Sequence, residues 1–174
     1  GVSADTLLKE YDNLVVVRTL SKSRALAGLR VGYALGSPNL ISGLCCVRDS
    51  INSYTVDRLA QAGAVAALED GPYFEEMRER VIRTRERTEE RLRAMGFAVL
   101  ESKANFLFVS HPKRTGKALL DGLREQGILV RWFDRPRIGN YLRISVGTDD
   151  EMDALRAALK ALTEGCICAM KVIS

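Results

Sequence analysis

Leu14-Val15-Val16-Val17-Arg18-Thr19-Leu20-Ser21-Lys22-Ser23-Arg24-Ala25-Leu26-Ala27-Gly28-Leu29-Arg30-Val31-Gly32-Tyr33 passes from an apolar segment through a polar one and back. Leu14 to Val17 is a continuous aliphatic and β-branched run behind the turn-prone Asp12-Asn13, the pattern of a strand buried on both faces. Arg18 to Arg24 turns abruptly polar. A second short strand is expected over Leu29 to Leu35, after Gly28 and closed by Gly36. Ser37 followed by Pro38 reads as an N-cap with proline at the first helical position, so the local order is strand, polar loop, strand, helix.

Working outward, Leu59, Ala62, Gly63, Ala66 and Ala67 are small and apolar at helical spacing behind Asp57, which predicts a closely packed helix ended by Asp70-Gly71. Pro72 opens a longer helix to about Met95, stopped by Gly96, with Phe74, Met77, Val81, Thr88, Leu92 and Met95 along one stripe. The rest of that helix is Glu and Arg in near balance, the sign of an exposed face laced by i to i+4 pairs. Beyond it, Phe97 to Leu100, Asn105 to Val109, Ile128 to Phe133 and Tyr141 to Val146 read as strands, and Thr115 to Gln126 as a helix ended by Gly127. A last helix starts at Thr148, with Glu151 three residues on as a capping box, and runs through Met152, Leu155, Ala158, Leu159 and Leu162. The fold class is α/β: residues 1–70 form a first region of strands and helices, 71–96 a linking helix, and 97–164 an α+β unit with antiparallel strands. Residues 165–174 are left as a tail, an added strand or a frayed end.

With 174 residues, 47% apolar and 28% charged, the chain has a globular composition. Lys and Arg exceed Asp and Glu by only four, 26 against 22, and are spread along the sequence, so no nucleic-acid partner is expected. No apolar run reaches the about 18 residues of a membrane span, and Gly1 to Lys9 lacks the basic and apolar regions of a leader. A cytoplasmic protein with no membrane partner is expected. The cysteines fall as Cys45-Cys46 and Cys166-x-Cys168 with a single histidine in the chain, which does not assemble a zinc site, so no metal is expected and the thiols are read as reduced and mostly buried. His111, before Pro112 at a strand end, reads as a surface-loop imidazole and not as part of a catalytic triad.

Neither nucleotide-binding glycine motif is present, since Gly116-Lys117 lacks its upstream glycine and Gly28, Gly32 and Gly36 recur every four residues. G-x-S-x-G is absent as well. What stands out is Thr19-Leu20-Ser21-Lys22 at the end of a strand, with Arg30 eight residues after the lysine. A lysine held there, partly desolvated and near a second cation, has a lowered pKa and a neutral amine able to attack a carbonyl. Hydroxyls at Thr19 and Ser21 with the guanidinium of Arg30 would form a phosphate cradle beside it. A phosphorylated carbonyl compound next to a lysine describes pyridoxal phosphate.

The segment from Arg18 to Tyr33 closely resembles the lysine segment of fold-type I aminotransferases, and most closely that of the histidinol-phosphate aminotransferases. Asn52-Ser53-Tyr54-Thr55-Val56-Asp57, Ala104-Asn105-Phe106, Gly127-Ile128-Leu129-Val130-Arg131 and Tyr141-Leu142-Arg143-Ile144-Ser145-Val146-Gly147-Thr148 are similar to later blocks of that family, in the same order. The resemblance implies that Lys22 is the Schiff-base lysine and that Ser21 and Arg30, with Thr19, hold the phosphate of pyridoxal 5′-phosphate. It implies that Arg143 binds the anionic group of the substrate, with Arg131 as a second anion contact. The implied reaction is transamination between histidinol phosphate or imidazole-acetol phosphate and glutamate or 2-oxoglutarate, in histidine biosynthesis. Lys22, once released, would move the proton at the substrate α-carbon. The family also implies a homodimer.

The pattern departs from the family in two places. Ser23-Arg24 follows the lysine, where aromatic or small residues are usual. The family's enzymes are also roughly twice as long, and their N-terminal half, with the cofactor-stacking aromatic and the aspartate partner of the ring nitrogen, has no counterpart here. The resemblance thus implies a C-terminal fragment of the large domain plus the whole small domain, with weak cofactor binding and no turnover by itself. Two rivals stand beside this reading: a threonine-phosphate decarboxylase or another amino-acid aminotransferase of the same fold, and a non-catalytic oligomerisation or binding module.

Overall fold

The computed structural model describes residues 3–52 and 54–164, so Cys166, Cys168 and the rest of the 165–174 tail lie outside the described residues. The chain divides into two compact units, Gly1–Arg78 and Glu79–Ser174, with the division falling inside one long helix.

In the first unit, a 3₁₀ turn over Ala4–Lys9 precedes strand β1 (Val15–Thr19), which pairs antiparallel with β2 (Gly32–Gly36) from Val15 opposite Gly36 to Thr19 opposite Gly32. Between them lie the short helix α1 (Leu20–Ser23) and a 3₁₀ turn at Ala27–Leu29. The second strand therefore begins three residues later than Leu29, because Leu29 closes a turn and Arg30 takes a left-handed backbone with φ of 54°. Helix α2 (Pro38–Ile51) starts on its proline as expected, but the Ser37 hydroxyl donates to the carbonyl of Asp12 at 2.9 Å and leaves the helix end uncapped. Helix α3 (Arg58–Glu69) is capped by Asp57, whose carboxylate accepts from the Ala60 amide at 2.9 Å.

The buried residues of this unit, among those described, are Leu20, Ala60 and Ala64. Three sequence expectations are corrected by that. Val17 is 76% exposed, so β1 is not buried on both faces: the ribbon has two strands, and no described residues cover that side. On α3 the buried stripe is Ala60 and Ala64, while Leu59 points outward. Cys45 is half-buried and Cys46 exposed, both free thiols on α2, in place of buried ones.

Helix α4 (Gly71–Ala94) carries the expected alternation of charge, with Glu75–Arg78, Glu79–Arg83 and Glu89–Arg93 pairs, and buries Thr84, Arg85, Thr88 and Leu92. The second unit then forms a four-stranded antiparallel sheet in the order β3 (Ala98–Val99), β4 (Phe106–Ser110), β6 (Tyr141–Ser145), β5 (Arg131–Trp132). The edge strand β5 is shorter than the apolar run Ile128 to Phe133. Helices α5 (Gly116–Glu125) and α6 (Asp149–Glu164) complete the unit, with Thr115 capping the first and the Thr148–Glu151 capping box opening the second. Gly96 and Gly127, with φ of +85° and +73°, end α4 and α5 where a side chain would be strained.

One face of the sheet holds the core: Leu107, Val109, Leu142 and Ile144 alternate inward against Leu119, Leu123, Leu155 and Leu159 of the helices. His111 belongs to this interior. It is 6% exposed and lies 4.8 Å from the Phe97 ring, which corrects the reading of it as a surface imidazole. Burial, together with Lys113 and Arg114 nearby, holds its pKa below the ordinary histidine value. The first turn of α6 is tied to α4 through Asp149, which accepts from the Thr84 hydroxyl at 2.7 Å and pairs with Arg87. The Thr84 hydrogen bond, then Arg87, keep that carboxyl below its usual range.

Among the described residues no helix is long and apolar enough to cross a membrane, and no three His, Cys, Asp or Glu side chains cluster as metal ligands.

Candidate functional site

The first unit carries four of the sequence-predicted residues on two joined turns. Thr19 ends β1 and caps α1, its hydroxyl oxygen accepting from the Ser21 amide at 3.1 Å. The same hydroxyl stands 2.7 Å from Ser21 Oγ, and donation along that contact leaves the Ser21 proton free to point at an acceptor outside. Arg30 lies on the other side of the loop. The Val31 carbonyl that follows it accepts from the Leu20 amide at 3.1 Å and faces Thr19 Oγ1 at 3.4 Å, while the Leu26 amide donates to the Leu20 carbonyl at 3.2 Å. These bonds fasten the lysine-bearing turn to the arginine-bearing turn, so residues 19–22 and 30 are neighbours by construction of the backbone.

Lys22 and Arg30 are both exposed in this unit, so the partial desolvation expected for the lysine is not supplied by the described residues around it. Neither forms an ion pair with a carboxylate among the described residues, and Arg30 donates only to the Ala27 carbonyl at 3.2 Å. Two hydroxyls, a guanidinium held by one backbone carbonyl and an amine without an ion pair among the described residues, on two joined turns, are the donor set that a phosphorylated aldehyde requires. The residues present fit such a group.

Arg24 was not among the predicted site residues. It caps the C-terminus of α1, and its guanidinium donates to the carbonyls of Ala67 at 2.6 Å and Asp70 at 3.3 Å while lying 3.8 Å above the Phe74 ring. It thus pins the lysine turn to the end of α3, where the helix dipole favours a cation. The sequence signal was its departure from the usual residue type two places after the lysine.

The second unit brings the other two predicted residues together. Arg143 on β6 and Arg131 on β5 are cross-strand partners on the open face of the sheet, and neither is paired with a carboxylate among the described residues. Arg143 lies 5.4 Å from the Phe106 ring centre and Arg131 5.4 Å from that of Phe133. Phe108 stacks on Tyr141 at 4.7 Å and meets Phe133 edge-on at 6.5 Å. The result is a hollow lined by Phe106, Phe108, Phe133 and the Arg143 guanidinium and walled by Glu101 to Ala104, with Arg131 over the Phe133 ring. An anion attached to a flat or apolar body would find both its contacts there. Reading β4 alone missed this: Phe106 and Phe108 alternate with buried Leu107 and Val109, and a strand apolar on both sides signals a second surface to be covered.

Comparison with known proteins bears on this arrangement. The family model described as aminotransferase class I and II matches residues 2–159. A histidinol-phosphate aminotransferase of Clostridium acetobutylicum is 54% identical over 160 residues, covering 92% of this chain and 46% of that protein. One from Acinetobacter baylyi is 56% identical over 158 residues, covering 91% and 44%. The crystal structure of histidinol-phosphate aminotransferase from Sinorhizobium meliloti, in complex with pyridoxal-5′-phosphate, superposes with a TM-score of 0.78 at 32% identity, covering 90% of this chain and 42% of that one. The chain therefore spans about half the length of the curated relatives it matches.

Proposed function

Because the chain belongs to the aminotransferase class I and II family, we propose that the protein it comes from transfers an amino group between histidinol phosphate and 2-oxoglutarate, using pyridoxal 5′-phosphate. The observation that supports this reading is the backbone fastening of the Thr19–Lys22 turn to the segment that carries Arg30, through the Leu20 amide on the Val31 carbonyl and the Leu26 amide on the Leu20 carbonyl.

Pyridoxal phosphate, when bound, supplies an aldehyde to an amine and a ring that takes up the electron pair released at the substrate α-carbon. The residues of this chain do the rest. Ser21 would donate its hydroxyl proton to the phosphate while Thr19, donating to Ser21 Oγ, orients it, and Arg30 would add a charge-assisted contact. Lys22 would hold the cofactor through Nζ and, as a free amine, would act as the base that takes the substrate α-proton and the acid that gives it back. Arg143 binds the substrate anion, a phosphate for histidinol phosphate and a carboxylate for glutamate, and Arg131 adds a second contact. One planar guanidinium serves both anions in turn because each offers two oxygens at similar spacing. We assign the protein to the cytoplasm and expect it to act as a homodimer.

Borohydride reduction of the full-length protein with pyridoxal phosphate, followed by peptide mapping, tests the reading. The label is expected on Lys22, and a label on any other lysine overturns it. Turnover of histidinol phosphate is expected to exceed that of threonine phosphate, and the reverse order would assign the decarboxylase reaction instead.

A further inference from the structure

Arg85 of α4 has a side chain only 6% exposed, whereas the ion-paired Arg78, Arg83, Arg87, Arg91 and Arg93 of the same helix are 35% exposed or more. A guanidinium does not lose its charge in a protein, so its burial must be answered by acceptors. Few are present. Nη1 donates to the Ala104 carbonyl at 3.2 Å, Nη2 stands 3.6 Å from a carboxylate oxygen of the exposed Glu86, and Nε has no partner. Stability alone does not account for such a residue, since an apolar side chain of similar volume beside Leu92 would serve the core as well or better.

What Arg85 holds is a wall. Ala104 lies in the 100–105 connection between β3 and β4, which has no ladder of its own. Ser102 ties the connection internally, its hydroxyl donating to the Phe106 carbonyl at 2.6 Å and accepting from the Ala104 amide at 3.1 Å. Asn105 ties it to the end of β6, its carbonyl accepting from the Val146 amide at 2.9 Å. The start of the connection is held by the Leu100 amide donating to the Phe108 carbonyl at 3.1 Å, and the Ala104 carbonyl accepts from Arg85 of α4. Glu101, Ser102, Lys103 and Ala104 form one side of the hollow whose other sides include Phe106, Phe108 and Arg143.

We infer that Arg85 is a positioning residue for the anion-binding hollow, fixing the Ala104 carbonyl and with it the distance between the 101–104 wall and Arg143. This rests on the reading of Arg143 as the anion-binding residue. A rigid wall keeps water and the Lys103 and Glu101 side chains from collapsing onto the arginine, and keeps Phe106 beneath it, so the site is ordered before the anion arrives.

The test is a titration of the full chain with inorganic phosphate at low ionic strength, followed through the amide resonances of residues 100–106 and 141–145, in wild type, R85M, R85K and R143Q. Saturable binding is expected in wild type and its loss in R143Q. R85M is expected to bind about five-fold or more weakly, the scale of one contact to a charged group, with faster amide exchange at Ala104. R85K, which keeps the charge and one donor, should fall between the two. Wild-type affinity in R85M, with binding lost in R143Q, overturns the role of Arg85 and leaves the anion site standing. Absent binding in wild type, or undiminished binding in R143Q, overturns the anion site and the role of Arg85 with it. Should R85M fail to fold, R85K decides: a loss of about two-fold or more with faster Ala104 exchange supports the inference, and wild-type values overturn it.

Discussion

Arg131 and Arg143 face each other Cα to Cα across β5 and β6, two like charges at a directly paired position on the open side of a sheet. Like charges so placed repel, by a few tenths of a kcal/mol when exposed to solvent, and no carboxylate among the described residues relieves them. The proposed anion-binding role gives this costly pairing a purpose, since a bound anion would relieve the repulsion.

R131Q is accordingly expected to stabilise the second unit slightly in dilute buffer, to lose that advantage as salt is raised, and to lose part of the stabilisation that phosphate confers on wild type. Chemical denaturation at low and high salt, with and without phosphate, reads all three effects. A variant less stable than wild type at low salt would show that the cation over the Phe133 ring outweighs the repulsion.

The two units should respond very differently to core and surface substitution. Leu142 is fully buried at the centre of the sheet, so L142A should cost about 2–5 kcal/mol by leaving a cavity. V17T on β1, at a side chain 76% exposed, should change stability by no more than about 0.5 kcal/mol. Hydrogen exchange is expected to show β1 and β2 opening at lower free energy than β4 and β6, because the first unit buries so little.

Below the ordinary histidine pKa the second unit should lose stability. The folded pKa of His111 is depressed, chiefly by burial and then by Lys113 and Arg114, so the unfolded chain takes up its proton first. Stability is then complete above about pH 6.5 and declines as the pH falls from there through the folded value. H111F, which keeps a ring against Phe97 and removes the titration, should flatten that part of the stability profile. An unchanged profile would assign the loss to another group.

Gly32 sits opposite Thr19, where a Cβ would meet the Arg18 carbonyl oxygen at 2.7 Å, a backbone atom that cannot step aside. G32A is expected to push the strands apart at the end that carries Thr19. It should speed amide exchange at Thr19 and Leu20 and weaken borohydride trapping at Lys22 in the full-length protein, with little effect on the second unit.

The chain order of strands and helices was legible because it depends on local signals. Asp57, Thr115 and the Thr148–Glu151 pair cap the helices that their spacing predicted, and Gly96 and Gly127 end helices where the sequence placed the breaks. The segment from Thr19 to Arg30 was legible for a similar reason. Its residues lie close in sequence, and two short turns are enough to bring them together.

Burial was not legible, because it depends on what packs against a residue from far along the chain. An apolar run at Leu14 to Val17 looks the same whether or not a layer covers it, and here Val17 is open to solvent while the single histidine is inside. The charged stripe of α4 likewise concealed which of its arginines turns inward. Residue types and their spacing determined the elements, the lysine turn and the family; only the folded sheet, by pairing β5 with β6 and joining the 101–104 connection to Arg85, decided that Arg131 and Arg143 share one face and what walls Arg143. Local backbone preference acts over a few residues, whereas a site built across strands exists only once distant segments have lost their freedom and packed.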